Sequence, residues 1–285
     1  MILTTENKYY PERFNKLKNR PKRVHVKGDE KCIGGSKIIG IVGSRKMTSY
    51  GERVLDIFVP QLVHAGYAIV SGFMYGVDTY AHTLTVECGG ATIAILGSGI
   101  SAIYPEENTE LYTKIIKTGG CVLSEYEPNQ KPKPWMFAKR NRLIAALSDS
   151  IIVVEAGLKS GSLITAQRAI ELGKPVYAVP GQITSSVSKG TNELIASGKA
   201  TILLDISMIT HAVSSQKSLA TSVFESSLQE KIYNLLLSSD MSIDQLSATL
   251  CKNAQEISTC LIEMDFSGII TEDRGLFRIL EKRKL

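Results

Sequence analysis

From residue 37 onward, short runs of almost wholly apolar residues alternate with longer stretches of helical spacing. The runs are residues 37–42 (KIIGIV), 67–70 (YAIV), 91–96 (ATIAIL), 121–124 (CVLS), 151–154 (IIVV), 175–179 (PVYAV) and 200–203 (ATIL). Strands that are apolar at successive positions are covered on both faces. Between them, residues 50–64, 77–88, 109–117 and 163–172 read as helices, the first expected to kink or shorten at Pro60. Such alternation predicts an α/β sheet, mostly parallel, with helices on both faces and right-handed crossovers.

The pattern stops near residue 206, and the 285 residues leave room for a second domain. In residues 207–227, nine of 21 positions are Ser or Thr, which reads as a linker. Residues 228–285 then give three amphipathic helices and two short strands around Asp273-Arg274-Gly275, the order of a small winged-helix domain. Met241-Ser242 is placed to cap the second of these helices. At the other end, residues 1–36 form a basic arm, leaving residues 37–206 as the main α/β domain. Charge follows the same division: the first 37 residues carry a net charge of +6, residues 38–205 +1 and residues 206–285 −2. A basic arm suggests a polyanion nearby, with a solvated tail as the plainer reading.

Several classes are excluded early. With 44% hydrophobic and 21% charged residues the chain is globular in composition. Its five cysteines, at 32, 88, 121, 251 and 260, make no C-x-x-C and indicate neither a disulfide framework nor a zinc site. Buried thiols in a reducing cytoplasm are the expectation, and no apolar run approaches the length of a membrane span. No metal and no cofactor is implied. Gly97-Ser98-Gly99-Ile100-Ser101-Ala102 fits a dinucleotide fingerprint superficially, but Tyr104-Pro105 follows where its helix should run, and it trails the third strand rather than the first. The histidines at 25, 64, 82 and 211 sit in no recognisable catalytic spacing, and Asp78, Glu125 and Glu155 are not paired. No catalytic residue is assigned.

Open α/β sheets bind ligands beyond the C-terminal ends of their strands. The first run is followed by Gly43-Ser44-Arg45-Lys46 and then Thr48-Ser49 opening a helix; the fifth leads to Ser160-Gly161-Ser162 at another helix start. Small residues let a backbone approach an anion, and a helix start offers free N–H groups and a positive dipole. The fourth run leads to a lysine- and proline-rich loop with Lys133, Trp135, Phe137, Lys139, Arg140, Asn141 and Arg142, and the sixth to Pro180-Gly181 and Lys189-Gly190-Thr191-Asn192. Basic residues interleaved with aromatics suit single-stranded nucleic acid. Core packing of the aromatics and structural ion pairs for Arg140 and Arg142 are the plainer alternatives.

Taken in order, these stretches resemble the DNA-processing protein A (DprA, or Smf) family. The matching residues include Gly43-Ser44-Arg45 with Tyr50-Gly51, Ser71-Gly72 with Gly76-Val77-Asp78, and Gly97-Ser98-Gly99 with Tyr104-Pro105 and Asn108. Arg140-Asn141-Arg142-Leu143-Ile144-Ala145, Val154-Glu155-Ala156 with Ser160-Gly161-Ser162, and Val179-Pro180-Gly181 with Gly190-Thr191-Asn192 complete the set. The resemblance covers residues 9–205, and the C-terminal segment more weakly. It implies an extended Rossmann-like core that forms a homodimer and binds single-stranded DNA without catalysis. Such proteins protect incoming strands in natural transformation and help load the RecA recombinase. The implied contacts are Ser44, Arg45, Lys46, Lys133, Phe137, Lys139, Arg140, Asn141, Arg142, Ser160, Gly161, Ser162 and Asn192. Many members begin with a small helical domain where this chain has its basic arm. Ala138 replaces an expected proline, and the bulky Phe73-Met74-Tyr75 predicts a narrower groove. The acidic C-terminal domain reads as a protein-contact module. The alternative function is a Rossmann-like nucleotide hydrolase, although Gln182-Ile183 follows Pro180-Gly181 where such enzymes carry a glycine-threonine step.

Overall fold

The computed structural model describes residues 1–35, 37–214, 227–236, 239–250, 252–266, 270–273 and 275–279. The chain divides into two compact units, Met1–Gln216 and Lys217–Leu285.

The strands of the first unit are β1 (Ile2–Thr4), β2 (Arg23–Gly28), β3 (Ile38–Val42), β4 (Ala68–Ser71), β5 (Thr92–Ile95), β6 (Cys121–Ser124), β7 (Ser150–Val153), β8 (Val176–Ala178) and β9 (Thr201–Ile202). Its helices are α1 (Ser49–His64), α2 (Val77–Glu87), α3 (Thr109–Lys117), α4 (Pro134–Leu147), α5 (Gly161–Glu171), α6 (Lys189–Ala196) and α7 (Ser207–Ser214). The strands form one sheet in the order β1-β2-β6-β5-β4-β3-β7-β8-β9. From β6 through β9 every neighbouring pair is parallel. The seven apolar runs are therefore the seven parallel strands, in a mostly parallel α/β sheet.

Alternate residues of a strand face opposite sides. Ile38 and Val42 join the core under α4 and α5, while Ile39 and Ile41 join the core under α1 and α2. Both faces are thus covered, and for this reason the runs carry no polar alternation. Chain order reverses direction across the sheet between β3 and β7, neighbours through Gly40–Ile151 and Val42–Val153. The loops leaving the C-terminal ends of these two strands diverge to opposite faces, which opens a crevice.

Three local expectations are corrected. Residues 1–35 are no arm: β1 and β2 add an antiparallel pair to the sheet edge, β2 against β6 with Val26 opposite Leu123. Leu3, Tyr10, Phe14, Val24 and Val26 are buried in the α4–α5 core, so apolar side chains at interior positions outweigh the charges between them. Helix α1 runs through Pro60 to His64; buried Leu55, Phe58, Val59 and Leu62 hold the helix around the missing donor. The lysine- and proline-rich stretch is largely α4, with Pro134 in its first turn, where the absent N–H costs no hydrogen bond.

The segment expected as a linker begins with α7, whose Ile209 is buried with Ile206; residues 215–226 lie outside the described residues. The second unit holds α8 (Ser227–Leu236), α9 (Ile243–Leu250), α10 (Ala254–Phe266), β10 (Ile270–Asp273) and β11 (Leu276–Ile279). Strands β10 and β11 pair antiparallel. Ile232, Leu246, Ile257, Leu261 and Met264 form its core with Ile270 and Phe277. At the start of α9, Ser242 Oγ accepts from Gln245 N at 3.3 Å, and Gln245 Oε1 accepts from Ser242 N at 2.8 Å, a reciprocal cap.

Candidate nucleic-acid interface

A groove of about 650 Å³ lies over the C-terminal ends of β3 and β7. Gly43, Ser44, Arg45 and Lys46 form one side, and Gly157, Lys159, Ser160, Gly161 and Ser162 the other. Phe137, Arg140 and Asn141 of α4 line its floor with Met74 and Asp78.

The loop after β3 needs its glycine neighbour. Gly76 has φ +71°, and a Cβ there would collide with the carbonyl of Ser44 and the backbone of Arg45. Only glycine lets the two loops abut, and Val77 N then donates to Ser44 O at 3.2 Å. Ser44 Oγ accepts from Lys46 N at 3.0 Å and so turns the loop. Across the groove, Ser160 caps α5 by accepting from Ser162 N, and its Oγ lies 2.7 Å from Ser162 Oγ. Asn141 Nδ2 donates to Gly161 O at 3.1 Å and fixes that helix start from below. The first-turn N–H groups of α5 and the side chains of Arg45, Lys46 and Lys159 therefore bound one space. Arg45, Lys46 and Lys159 are exposed, and among the described residues none of them has an ion-pair partner. The Arg45 guanidinium sits 5.6 Å from the centre of the Phe137 ring, which is 5.7 Å from the ring of Tyr104. A Cβ on Gly97 would strike Phe137, so that glycine seats the ring.

Beneath the groove, Arg140 is buried, and its Nη1 donates to the carbonyls of Gly72, at 2.5 Å, and of Ile95. Burial lowers its pKa to about 10, opposed by the neighbouring Asp78 carboxylate. Burial likewise raises Asp78 to about 6, with Arg140 pulling it back. His82, also fully buried, is lowered to about 3 by desolvation and by the Arg140 charge; its Nδ1 lies 2.6 Å from Thr92 Oγ1. Arg140 thus ties strand ends together at the groove floor and, at 2% exposure with its Nη1 committed to two carbonyls, offers almost nothing to a phosphate. This corrects the expectation for Arg140.

Four other expected contacts fall outside the groove. Asn192 uses both ends of its amide on Gly181, Oδ1 accepting from N at 3.1 Å and Nδ2 donating to O at 3.0 Å. Lys139 and Arg142 point to the opposite face of α4, where both approach Glu125, at 3.7 and 2.6 Å. A helical turn of 3.6 residues puts positions 135, 139 and 142 on one side and 137, 141 and 144 on the other. Lys133, at the N-cap of α4, is exposed and does not line the groove. Phe73 is buried, so of the three bulky residues only Met74 narrows the groove. Lys159 was missed; its signal is a lone cation among small residues just before a helix start. The carboxylates at the strand ends are engaged: Glu155 accepts from Thr48 N and Oγ1 at 2.9 and 2.5 Å and anchors the start of α1.

Fold and site together define an α/β protein with a crevice lined by basic and small residues at the reversal point of its sheet. A model of the family described as DNA recombination-mediator protein A matches residues 1–214. The chain belongs to that family. It is 38% identical over 196 residues to the DNA processing protein DprA of Bacillus subtilis, covering 69% of this chain and 66% of that one. It is 34% identical over 197 residues to protein Smf of Escherichia coli, covering 69% and 52%. The chain thus spans between half and two thirds of these relatives' length. Among solved structures, the DNA processing protein A of Helicobacter pylori, described for its single-stranded DNA binding mode, superposes with a TM-score of 0.69 at 33% identity, over 76% of this chain and 97% of that one. The DprA of Streptococcus pneumoniae gives 0.68 at 33% identity, over 77% and 75%.

Proposed function

We propose that the groove between the β3 and β7 loops binds single-stranded DNA and that the chain performs no catalysis there. One observation carries this reading: Arg45, Lys46 and Lys159, without ion-pair partners among the described residues, face the start of α5 across a space floored by the Phe137 ring. Three cations and a helix start hold phosphates without reading sequence. An aromatic ring beside them gives a base a stacking surface. The contacts of this site are Ser44, Arg45, Lys46, Phe137, Asn141, Lys159, Ser160, Gly161 and Ser162. The Helicobacter pylori relative supports the ligand class.

At the level of the whole protein, family membership supports a part in natural transformation, protecting incoming strands and helping a RecA-class recombinase to load. The proposed working form is a cytoplasmic homodimer built through the first unit; among the described residues no helix is long and apolar enough to cross a membrane. Residues 228–285 are proposed as a winged-helix domain, with three helices and a strand pair in support. Its net negative charge favours a protein partner over duplex DNA. The test is binding of labelled oligo-dT by the wild type and by Arg45→Ala. A folded variant that binds equally well, with unchanged salt dependence, would remove the groove from the account.

A further inference from the structure

The outer face of α4 has features that the groove does not use. Trp135, the only tryptophan of the chain, is 53% exposed on this face. Its ring stands edge-on to Tyr126, with centroids 6.2 Å apart and an interplanar angle of 81°. Lys139 Nζ lies 5.8 Å from the Trp135 ring centre and 5.7 Å from that of Tyr126. One turn on, Arg142 shares the Glu125 carboxylate with Lys139. Arg142 also forms part of a second cavity of about 500 Å³, with Lys16, Lys18, Asn19 and Arg168 on its walls.

Charge in this cavity is unbalanced. Arg142 is answered by Glu125 at 2.6 Å and Arg168 by Glu171 at 2.8 Å. Lys16 and Lys18 are exposed and have no ion-pair partner among the described residues. Arg142 Nη1 is buried without an acceptor. A phosphate seated between Lys16 and Lys18 would meet two free ammonium groups beside a guanidinium that already has too few acceptors. The folded N-terminal segment makes this possible, because Phe14 of the short 3-10 helix Glu12–Lys16 is buried in the core and presents Lys16 and Lys18 toward α4.

We infer that this face is a second binding track for a single strand of nucleic acid, separate from the groove, with a base stacking on Trp135 and phosphates running past Lys139 to the pocket of Lys16 and Lys18. An exposed ring and a basic cavity about two turns apart on one face of α4 meet both needs of a sequence-tolerant strand. The two tracks lie on opposite sides of one helix, so a strand held in one leaves the other open.

Trp135 provides its own probe. Stacking of thymine on the indole quenches its emission, and no other tryptophan contributes. The experiment titrates short oligo-dT into the full chain and follows tryptophan emission and the anisotropy of the labelled oligonucleotide together. In Arg45→Ala/Lys46→Ala, quenching is expected to persist while part of the anisotropy signal is lost. In Lys16→Ala/Lys18→Ala, quenching is expected to weaken roughly tenfold and its salt slope to fall by about two, with groove binding retained. A duplex hairpin of the same length should leave the emission unchanged. The inference is overturned if saturating oligo-dT leaves Trp135 unquenched, if quenching disappears with the groove variant but survives loss of both lysines, or if the duplex quenches equally. Failure of the groove itself would read differently: Arg45→Ala/Lys46→Ala would leave the anisotropy curve unchanged.

Discussion

At the scale of single residues, arginines expected alike as phosphate contacts take unlike roles. Arg45 is exposed over a ring, Arg140 is buried under the groove, and Arg142 faces away from it. Their substitutions should differ accordingly. Arg45→Ala is expected to weaken single-strand binding roughly tenfold for all sequences, and to lower the salt slope by about one, without changing stability. Arg140→Ala should instead unfold the protein more easily, by about 3–5 kcal/mol in urea titrations, because it strands the Gly72 and Ile95 carbonyls and leaves Asp78 uncompensated. The buried pair beside it gives a pH test. His82, lowered to about 3, takes up a proton only on unfolding, so its contribution is lost as pH falls from its unfolded value of 6.5 toward 3. Asp78, raised from 3.8 to about 6, acts in the opposite sense: its burial penalty grows as pH rises through that window. The two effects oppose each other between pH 3.8 and 6. Asp78→Asn should therefore make stability climb more steeply with pH there, by about 1.4 kcal/mol per unit relative to the wild type. Parallel curves from denaturant titrations at several pH values would count against the assignment.

Among the elements, the parallel strands were the most legible in the sequence, because a strand covered on both faces announces itself as an unbroken apolar run. The loops after β3 and β7 were legible too, since Gly43-Ser44-Arg45 and Ser160-Gly161-Ser162 set small residues at strand-to-helix turns, where two loops pack closely. Helix α4 was hidden by Pro132 and Pro134, which read as a loop although Pro134 stands in its first turn. Without that helix, nothing in the sequence could divide Phe137 from Lys139 or Arg142, because facing is a property of the 3.6-residue period. The strands β1 and β2 were masked by their charges; the alternation of Val24 and Val26 with Arg23, His25 and Lys27 is the strand signal that the basic count obscured, although His25 is buried too. Loop seating is testable at Gly97. Gly97→Ala should displace Phe137 and reduce single-strand affinity severalfold, with little change in oligo-dT salt slope because no charge is removed.

At the scale of the molecule, the first unit contains every residue of the groove and of the outer face of α4, and the family match ends at residue 214. A chain ending at residue 216 is expected to fold and to bind oligo-dT with the affinity and salt slope of the full chain. Loss of binding on truncation, seen by anisotropy, would transfer the DNA contact to the second unit. The central claim is that the crevice at the sheet's reversal point holds a single strand through its phosphates. The most direct measurement is a salt series of labelled oligo-dT and its duplex with the wild type and with Arg45→Ala. Tight, salt-dependent binding to the single strand, weaker binding to the duplex and a flattened slope in the variant are expected. Equal affinity for duplex and single strand, or a slope that Arg45→Ala leaves untouched, would contradict it.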